Sequence, residues 1–249
     1  MHGSWRHTYG KQYWPPKISE NLSDGRRGGT QGCRAERTVE SVDGLRQESR
    51  PTAIYKPGNY LEPLNWQAVF GREAPVEIDV GCGKGAFLAW AARTRPGHDF
   101  LGVDRQLVRL RKVDRKVQRH ALTNVRLLRL EFSYLISKLI PNASVSAYYI
   151  FFPDPWPKRR HAAKRLFQPS FVTELHRTLC RTGIVNVATD DAPYFAQISE
   201  LVNASGFFRA ESQEVLPEEA QTEFEKIFLA KGQSIHRARW RRQAQGIFP

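Results

Sequence analysis

The sequence predicts a doubly wound α/β fold, in which a mostly parallel sheet carries helices on both faces. From residue 60 onward, short apolar runs of strand length alternate with segments whose apolar residues recur at helical spacing. Strands that alternate with helices are typical of a parallel sheet, because each crossover helix returns the chain to the same end of the sheet. The chain has 249 residues, 41% of them hydrophobic, which is enough for one domain with a sizeable core.

The first half of this pattern contains three predicted strands, at Val76–Val80, Phe100–Val103 and Val125–Leu130. A helix is expected after each strand, and each helix has its own signal. The signals are the Pro96-Gly97 stop after Ala86–Arg95, the helical spacing of Leu107, Leu110, Val113 and Val117, and the Pro141-Asn142 stop after Ser133–Ile140.

The second half begins with an apolar strand from Ser146 to Phe152 and continues with the helix Pro169–Cys180 and the strand Ile184–Ala188. Asp191 is expected to cap a helix that runs to Gly206. Two late strands are expected, near Phe207–Ser212 and Thr222–Ala230.

The first fifty residues differ from the rest, since they are rich in glycine and polar residues and poor in aliphatic ones. Such a segment cannot bury enough apolar surface to offset its ordering entropy. We therefore expect a disordered or weakly ordered basic extension over residues 1–50 and a folded domain over residues 51–249. A mis-assigned start is an alternative; because Met1 is the only methionine, a later start would need a non-AUG codon.

The net charge of +13 indicates a polyanionic partner, RNA or DNA before a membrane surface. Cys33, Cys82 and Cys180 form no CxxC pair, and the histidines show no ligand spacing. We therefore expect a reducing, cytoplasmic location and no metal site. No apolar run approaches the ~18 residues of a membrane span, and no apolar signal segment follows the N-terminus.

A glycine-rich turn, Gly81-Cys82-Gly83-Lys84-Gly85, connects the first strand to the first helix. Glycines allow the backbone to turn tightly and to approach a ligand closely. Gly81, Gly83 and Ala86 also match the dinucleotide fingerprint G-x-G-x-x-A, with Asp104 at the end of the second strand. A nicotinamide oxidoreductase is therefore one alternative.

Asp79 favours a different ligand, because a pyrophosphate is bound best where no anion lies nearby. A carboxylate beside the glycine turn suits a ligand that carries a cation, and S-adenosylmethionine carries an ammonium and a sulfonium. We expect Asp104 to accept hydrogen bonds from the ribose hydroxyls of this cofactor. Glu131, which ends the third strand, is expected to contact its adenine side.

The most unusual stretch, Phe151-Phe152-Pro153-Asp154-Pro155-Trp156-Pro157-Lys158-Arg159-Arg160-His161, follows the fourth strand. Each proline disfavours the helical region for the residue before it, so Phe152, Asp154 and Trp156 are expected to be extended. Asp154 should then stand on a stiff arm at the carboxyl end of a strand, where open α/β sheets bind ligands.

Cations and an aromatic residue accompany this arm. Trp156 is expected either to stack on a base or to pack beneath the arm. Cations are expected to contact nucleic-acid phosphates in three places: Lys158, Arg159, Arg160, Lys164 and Arg165; the basic helix from Arg105; and the tail residues Arg237, Arg239, Arg241 and Arg242.

Together these motifs resemble the bacterial tRNA (guanine-N7)-methyltransferases, which are class I S-adenosylmethionine-dependent methyltransferases. The resemblance runs from about Tyr60 to Arg242. The proline arm and the segment Thr222-Glu223-Phe224-Glu225 are specific to that family, whereas the glycine turn is common to all class I methyltransferases.

The resemblance implies a seven-stranded Rossmann-like sheet and methyl transfer to N7 of guanosine 46 in the tRNA variable loop. It implies a cytoplasmic enzyme, a monomer or homodimer, without an obligate protein partner. Carried over by position, it implies Asp154 as the catalytic residue, Asp79, Gly81, Gly83, Asp104, Glu131 and Asp154 at the cofactor, and Lys158, Asp190, Thr222, Glu223, Phe224 and Glu225 at the substrate. Glu131 is one methylene longer than the Asp usual in the family.

Guanine N7 has a free lone pair and no proton, so its methylation requires alignment rather than a general base. Asp154 is therefore assigned an orienting and electrostatic role, which Asp190 could share. Two alternatives stay open. Asp154-Pro155-Trp156-Pro157 is reminiscent of the Asp-Pro-Pro-Tyr arm of methyltransferases acting on adenine N6 or cytosine N4, and an RNA-binding protein with a vestigial methyltransferase fold is the other.

Overall fold

A computed structural model describes residues 52–213 and 215–244, and the extension expected over residues 1–50 lies outside them. The predicted alternation of strands and helices is confirmed. The strands are β1 (Ile54–Tyr55), β2 (Val76–Val80), β3 (Asp99–Val103), β4 (Val125–Leu128), β5 (Val145–Phe151), β6 (Leu179–Thr189), β7 (Phe208–Glu211) and β8 (His236–Arg242).

The strands form one sheet in the order β1-β4-β3-β2-β5-β6-β8-β7. The strands from β1 to β6 are parallel to their neighbours, and β8 is antiparallel to both β6 and β7. The mostly parallel sheet is thus confirmed, with the two-residue β1 as an eighth strand at its edge. The strand order reverses between β2 and β5, and such a switch point opens a crevice at the carboxyl ends of the strands.

Seven α-helices surround this sheet among the described residues: α1 (Trp66–Phe70), α2 (Ala86–Thr94), α3 (Leu107–Arg119), α4 (Phe132–Tyr134), α5 (Pro169–Thr178), α6 (Ala192–Ala204) and α7 (Glu223–Ala230). A π-helical turn, Leu135–Leu139, extends α4, and 3₁₀ turns cover Arg159–Lys164 and Glu218–Ala220. Asp191 caps α6 as predicted, by accepting a hydrogen bond from the Tyr194 amide at 2.8 Å.

The core lies on both faces of the sheet, because alternate residues of each strand point to opposite sides. Ile78, Leu101 and Tyr148 belong to the cluster that includes α4, α5 and α6. Phe100 and Leu127 belong to the cluster that includes α2 and α3. Both faces are therefore covered, as the doubly wound prediction requires.

The strand predicted at Thr222–Ala230 is wrong, since this segment begins with the N-cap of α7. The Thr222 hydroxyl accepts a hydrogen bond from the Glu225 amide at 3.2 Å. Thr-x-x-Glu before an apolar run is a capping signal, and its three-residue spacing outweighs the strand-like apolar content. The second late strand is instead β8, which inserts between β6 and β7.

Three arginines of β8 have internal partners. Arg237 pairs with the buried carboxylate of Glu225, and Arg241 donates to Glu211 at 2.9 Å. Arg239 lies 3.8 Å from Glu211. Two carboxylates, Glu211 and Glu225, thus hold these three arginines, and Glu211 is also shared with Arg209. The contact of the tail with phosphates stays a prediction.

Candidate active site

Five acidic residues follow or end neighbouring parallel strands, and the sheet brings them to one edge. Asp79 lies near the end of β2, while Asp104 and Glu131 come after β3 and β4. Asp154 follows β5, and Asp190 directly follows β6. This edge contains the switch point between β2 and β5, so the predicted acids converge where a doubly wound sheet binds its ligand.

The glycine turn has the tight form expected of a ligand-binding loop. The amides of Gly81 and Cys82 both donate to the carbonyl of Val103, at 2.9 and 3.0 Å, which ties the turn to the end of β3. Gly81 and Gly85 have φ angles of +74° and +67°, a region that glycine adopts without steric cost.

The two glycines serve different purposes. A Cβ on Gly85 would lie 2.6 Å from Cγ1 of Val113, so only glycine allows α3 to pack against this turn. A Cβ on Gly81 would meet no atom within 4 Å. The space beside Gly81 is therefore open to a ligand.

Asp79 is a buried carboxylate whose charge has no partner. The residue is 5% exposed, and no described residue donates a hydrogen bond to its carboxylate. Burial, and secondarily the negative charge of Asp104, raise its pKa to about 7. A carboxylate in this state favours a cationic ligand, and the ammonium and sulfonium of S-adenosylmethionine fit that requirement.

Asp104 and Glu131 are each held by a backbone amide. Asp104 Oδ1 accepts from the Gln106 amide at 2.7 Å, and Oδ2 lies 3.5 Å from Arg109 Nη1. This fixes the carboxylate while its second oxygen keeps capacity for hydroxyl donors. Glu131 is exposed and caps α4 by accepting from the Tyr134 amide at 3.0 Å. Its predicted contact with adenine stays a prediction.

The arm after β5 carries Asp154 on a backbone that is strained on both sides. Asp154 is exposed, while Phe152 and Trp156 have φ angles of +54° and +42°. The extended geometry predicted for these two residues is wrong. Such a conformation costs roughly 1–3 kcal/mol per residue and persists only where tertiary contacts impose it.

Contacts around Phe152 impose one of these turns. Its amide donates to the carbonyl of Ala188 at 2.7 Å, which extends the pairing with β6 beyond the end of β5. Its ring packs on Phe228 and Phe224 of α7, with ring centroids 5.5 and 6.4 Å apart. The start of the arm is thus fixed between β6 and α7.

Arg165 holds the far end of the arm. Its guanidinium donates to the carbonyl oxygens of Pro155 at 2.7 Å and Trp156 at 3.3 Å, and also to Gln197. It lies 5.3 Å from the ring centroid of Tyr194. Three of the five N–H donors of Arg165 are thus used by Pro155, Trp156 and Gln197, and its predicted contact with phosphates stays a prediction.

Three other cations of the arm are exposed, and one of them also contacts the tryptophan. Lys158 and Arg160 are exposed. Lys164 Nζ lies 5.0 Å from the Trp156 ring centroid, and the His161 ring meets the same indole edge-on at 5.5 Å. Trp156 is half-buried in these contacts, so the packing expected as one of its two roles is present.

The predicted substrate residues of α7 differ in their surroundings. Phe224 is 49% exposed, whereas Glu225 is 4% exposed and bound to Arg237. Glu223 pairs with Lys84 of the glycine turn, at 3.0 Å between Nζ and Oε2. Sequence reasoning missed this ion pair and the contacts of Arg165, because they join residues that are distant along the chain.

Two classes of site have no candidate in the part of the chain that the structure describes. No cluster of three or more His, Cys, Asp or Glu side chains is arranged to bind a metal ion within residues 52–213 and 215–244. None of the helices described there has both the length and the apolar character of a membrane span.

Comparison with known proteins identifies a family that this chain resembles over most of its length. The family model described as "Putative methyltransferase" matches residues 73–238. The tRNA (guanine-N(7)-)-methyltransferase of Rubrobacter xylanophilus is 33% identical over 188 residues, which are 74% of this chain and 84% of that protein. Its counterpart in Lactobacillus delbrueckii is 31% identical over 77% of this chain and 91% of the relative.

A third relative with the same name, from Thermotoga maritima, is 34% identical over 71% of this chain. The match spans only 57% of the Thermotoga protein's own length.

Solved structures show the same fold at low sequence identity. The 16S rRNA methyltransferase KamB superposes with a TM-score of 0.55 at 14% identity, over 72% of this chain and 93% of that one. The antibiotic-resistance methyltransferase Kmr superposes with a TM-score of 0.51 at 18% identity, over 73% and 92%. Both likenesses concern the fold alone.

Proposed function

Because the chain belongs to the tRNA (guanine-N7)-methyltransferase family, we propose that it methylates N7 of guanosine 46 in the variable loop of tRNA. The methyl donor is S-adenosylmethionine. The observation that carries the proposal is the placement of two unlike carboxylates at the switch point: Asp79 is buried without a partner, and Asp154 is exposed on a fixed arm. We also propose that the enzyme is cytoplasmic and needs no obligate protein partner.

Three features of the chain suit the cofactor, which supplies a methyl group on a positively charged sulfur. Asp79 provides the negative charge that its cationic groups require. Asp104 is already oriented by the Gln106 amide and accepts the ribose hydroxyls with its remaining lone pairs. The open side of Gly81 lets the ligand approach the backbone closely.

The target atom sets what Asp154 has to do. Guanine N7 attacks with its own lone pair and has no proton to lose, so no general base is needed. Asp154 accepts hydrogen bonds from guanine N1–H and the 2-amino group, and it stabilises the positive charge that develops on the base. Such positioning contributes at most about 7–11 kcal/mol, and it requires a carboxylate that does not move.

The contacts of the arm are suited to that requirement. Arg165 holds the carbonyl groups of Pro155 and Trp156, and Phe152 is fixed by Ala188 and α7. Asp154 is therefore carried by a backbone that is restrained on both sides. Asp190, half-buried at the end of β6, is placed on the neighbouring strand to share the orienting task.

Binding of the tRNA around the target is assigned to the arm and to α7. Lys158 and Arg160 are exposed cations next to Asp154 in the chain, and they contact phosphates. Phe224 offers an exposed ring beside Phe152, on which a base can stack. Thr222, Glu223 and Glu225 fix the position of that ring through the cap of α7 and its ion pairs.

The test is direct product analysis. The purified protein is incubated with S-adenosylmethionine and unmodified tRNA transcripts, which are digested to nucleosides and examined by mass spectrometry for N7-methylguanosine. We expect this product with the wild type and its loss with Asp154→Asn, which keeps the side-chain size.

Two further arms of the experiment define the reaction. A transcript with adenosine at position 46 should give no product, and product from it would refute the assigned position. Methylated adenine or cytosine in place of methylated guanine would refute the proposed reaction and favour the amino-methyltransferase alternative.

A further inference from the structure

Helix α3 presents one face that consists almost entirely of cations. Its opposite face buries Leu110, Val113 and Val117 against the sheet. The cations are Arg111, Lys112, Arg115, Lys116 and Arg119, which we call the α3 basic face. At 3.6 residues per turn these five side chains fall within an arc of about 140°.

Four of the five cations of this face have no acidic partner among the described residues. The acid of α3, Asp114, accepts hydrogen bonds from the Thr52 hydroxyl at 2.9 Å and the Ala53 amide at 2.8 Å, away from the cations. Arg111, Lys112, Arg115 and Arg119 are exposed, and in residues 52–213 and 215–244 no carboxylate lies within ion-pair distance of them.

The arginines of this face do not stabilise the folded protein. Arg111, Arg115 and Arg119 are spaced four residues apart, and like charges at this spacing destabilise a helix. A bound polyanion would remove this repulsion. The pattern is therefore that of a helix with a partner rather than that of an ordinary solvated helix.

The α3 basic face adjoins the candidate active site. Lys116 Nζ donates to the carbonyl of Lys84 in the glycine turn at 3.1 Å, and Lys84 in turn pairs with Glu223 of α7. Helix α3 follows β3, whereas the arm with Asp154 follows β5, and β2 lies between these two strands. The two cationic surfaces thus flank the glycine turn that follows β2.

We infer that the α3 basic face binds the sugar–phosphate backbone of a double-helical arm of tRNA, while the arm after β5 holds the loop with the target guanine. This inference rests on the proposed function. The distance along α3 from Arg111 to Arg119 is about 12 Å at 1.5 Å per residue, enough to follow several phosphates.

The composition of α3 indicates a duplex rather than a single strand. Proteins that bind single strands combine cations with aromatic rings on which bases stack. Residues 107–119 contain no aromatic side chain, whereas the arm and α7 contain Trp156 and Phe224. A-form RNA is bound mainly through its backbone and shape, for which a row of cations is sufficient.

The test compares two charge-matched double variants of the full chain. The first, Lys112→Gln with Arg115→Gln, removes two cations of the α3 basic face and keeps good helix formers. The control, Lys138→Gln with Arg181→Gln, removes two exposed cations near the opposite edge of the sheet, where β5 and β6 begin. The affinity for an unmodified tRNA transcript is titrated from 50 to 200 mM salt.

The α3 variant should show a slope of log affinity against log salt that is shallower by about 2, since each lost phosphate contact removes about 0.9. The gain in tRNA affinity on lowering the salt from 200 to 50 mM should accordingly be roughly tenfold smaller for the α3 variant than for the wild type. The control should keep the wild-type slope, and both variants should keep their affinity for S-adenosylhomocysteine. A single-stranded RNA of about ten nucleotides should bind all three proteins with the same slope.

Three results would overturn the inference: an unchanged slope in the α3 variant, an equal loss in the control, or an equal loss with the single-stranded RNA. The last result would assign α3 to single-stranded RNA. Product analysis tests the proposed function separately: if that function is wrong, the wild type forms no N7-methylguanosine. The binding titration does not depend on the chemical step.

Discussion

Replacing Asp79 with asparagine should change the pH dependence of stability and weaken cofactor binding at the same time. The carboxylate is buried, has no hydrogen-bond donor among the described residues, and has a pKa raised from 3.8 to about 7 by burial and by Asp104. Asparagine has nearly the same shape and cannot ionise. The variant therefore isolates the free energy of placing this charge in the protein.

The sign follows from proton linkage. Between about pH 4 and pH 7 the folded state holds the Asp79 proton and the unfolded chain does not, so the free energy of unfolding falls as the pH rises. A shift of about three pH units at 1.36 kcal/mol each corresponds to roughly 4 kcal/mol. This loss in the free energy of unfolding is absent below pH 4 and reaches its full size above pH 7. It does not occur in Asp79→Asn.

Urea denaturation from pH 4 to pH 8.5, without cofactor, measures the effect. The variant should gain up to roughly 4 kcal/mol relative to the wild type across this range. Glu62→Gln removes an exposed carboxylate and serves as the control, with the wild-type pH dependence. Parallel curves for wild type and Asp79→Asn would refute the assignment of an unpartnered buried charge.

Calorimetry with S-adenosylhomocysteine, which keeps the ammonium and cannot react, tests the cofactor role. Near pH 7 the wild type should release a fraction of a proton on binding, because a bound cation lowers the pKa of Asp79. Asp79→Asn should bind more weakly and release no proton from this site. An undiminished affinity would show that Asp79 does not face the cofactor.

Three further predictions concern the supports of the site. Arg165→Lys, which cannot bridge two carbonyl groups, should lower kcat at least tenfold with unchanged cofactor affinity, while Arg160→Lys should not. Gly85→Ala should destabilise the protein by about 1–3 kcal/mol in thermal unfolding, and this loss should be smaller when it is measured in a Val113→Ala background, because the contact at 2.6 Å is then absent. Glu225→Gln should reduce the free energy of unfolding by a few kcal/mol in urea titrations, since it leaves the partly buried Arg237 without its anion; a change below about 0.5 kcal/mol would contradict this.

Much of the candidate site could be predicted because its signals are local. The glycine turn and the acids that end β2, β3 and β5 each require only a few neighbouring residues to be recognised. A parallel sheet then places the ends of its strands at one edge without further information. The convergence of Asp79, Asp104 and Asp154 therefore followed from the order of the elements.

The errors had two sources: at Phe152 and Trp156 local preference disagrees with tertiary contact, and at the start of α7 two local signals disagree. Phe152 and Trp156 precede prolines, which favours extended geometry, yet the pairing of Phe152 with Ala188 and the hold of Arg165 on Trp156 accompany left-handed turns. The segment that became α7 is rich in apolar residues typical of strands, and its cap at Thr222 outweighs them.

By itself, the sequence determined the alternation of strands and helices, the glycine turn, the position of each acid relative to its strand, and the excess of positive charge. Only the tertiary structure decided which cations are available to a partner. Arg165 meets Gln197, and Arg241 meets Glu211, across 32 and 30 residues of chain, whereas Arg111, Lys112, Arg115 and Arg119 of α3 meet no carboxylate in the described residues. The number of charged residues can be read from the sequence, but their ion pairs depend on distances between side chains, which only the fold specifies.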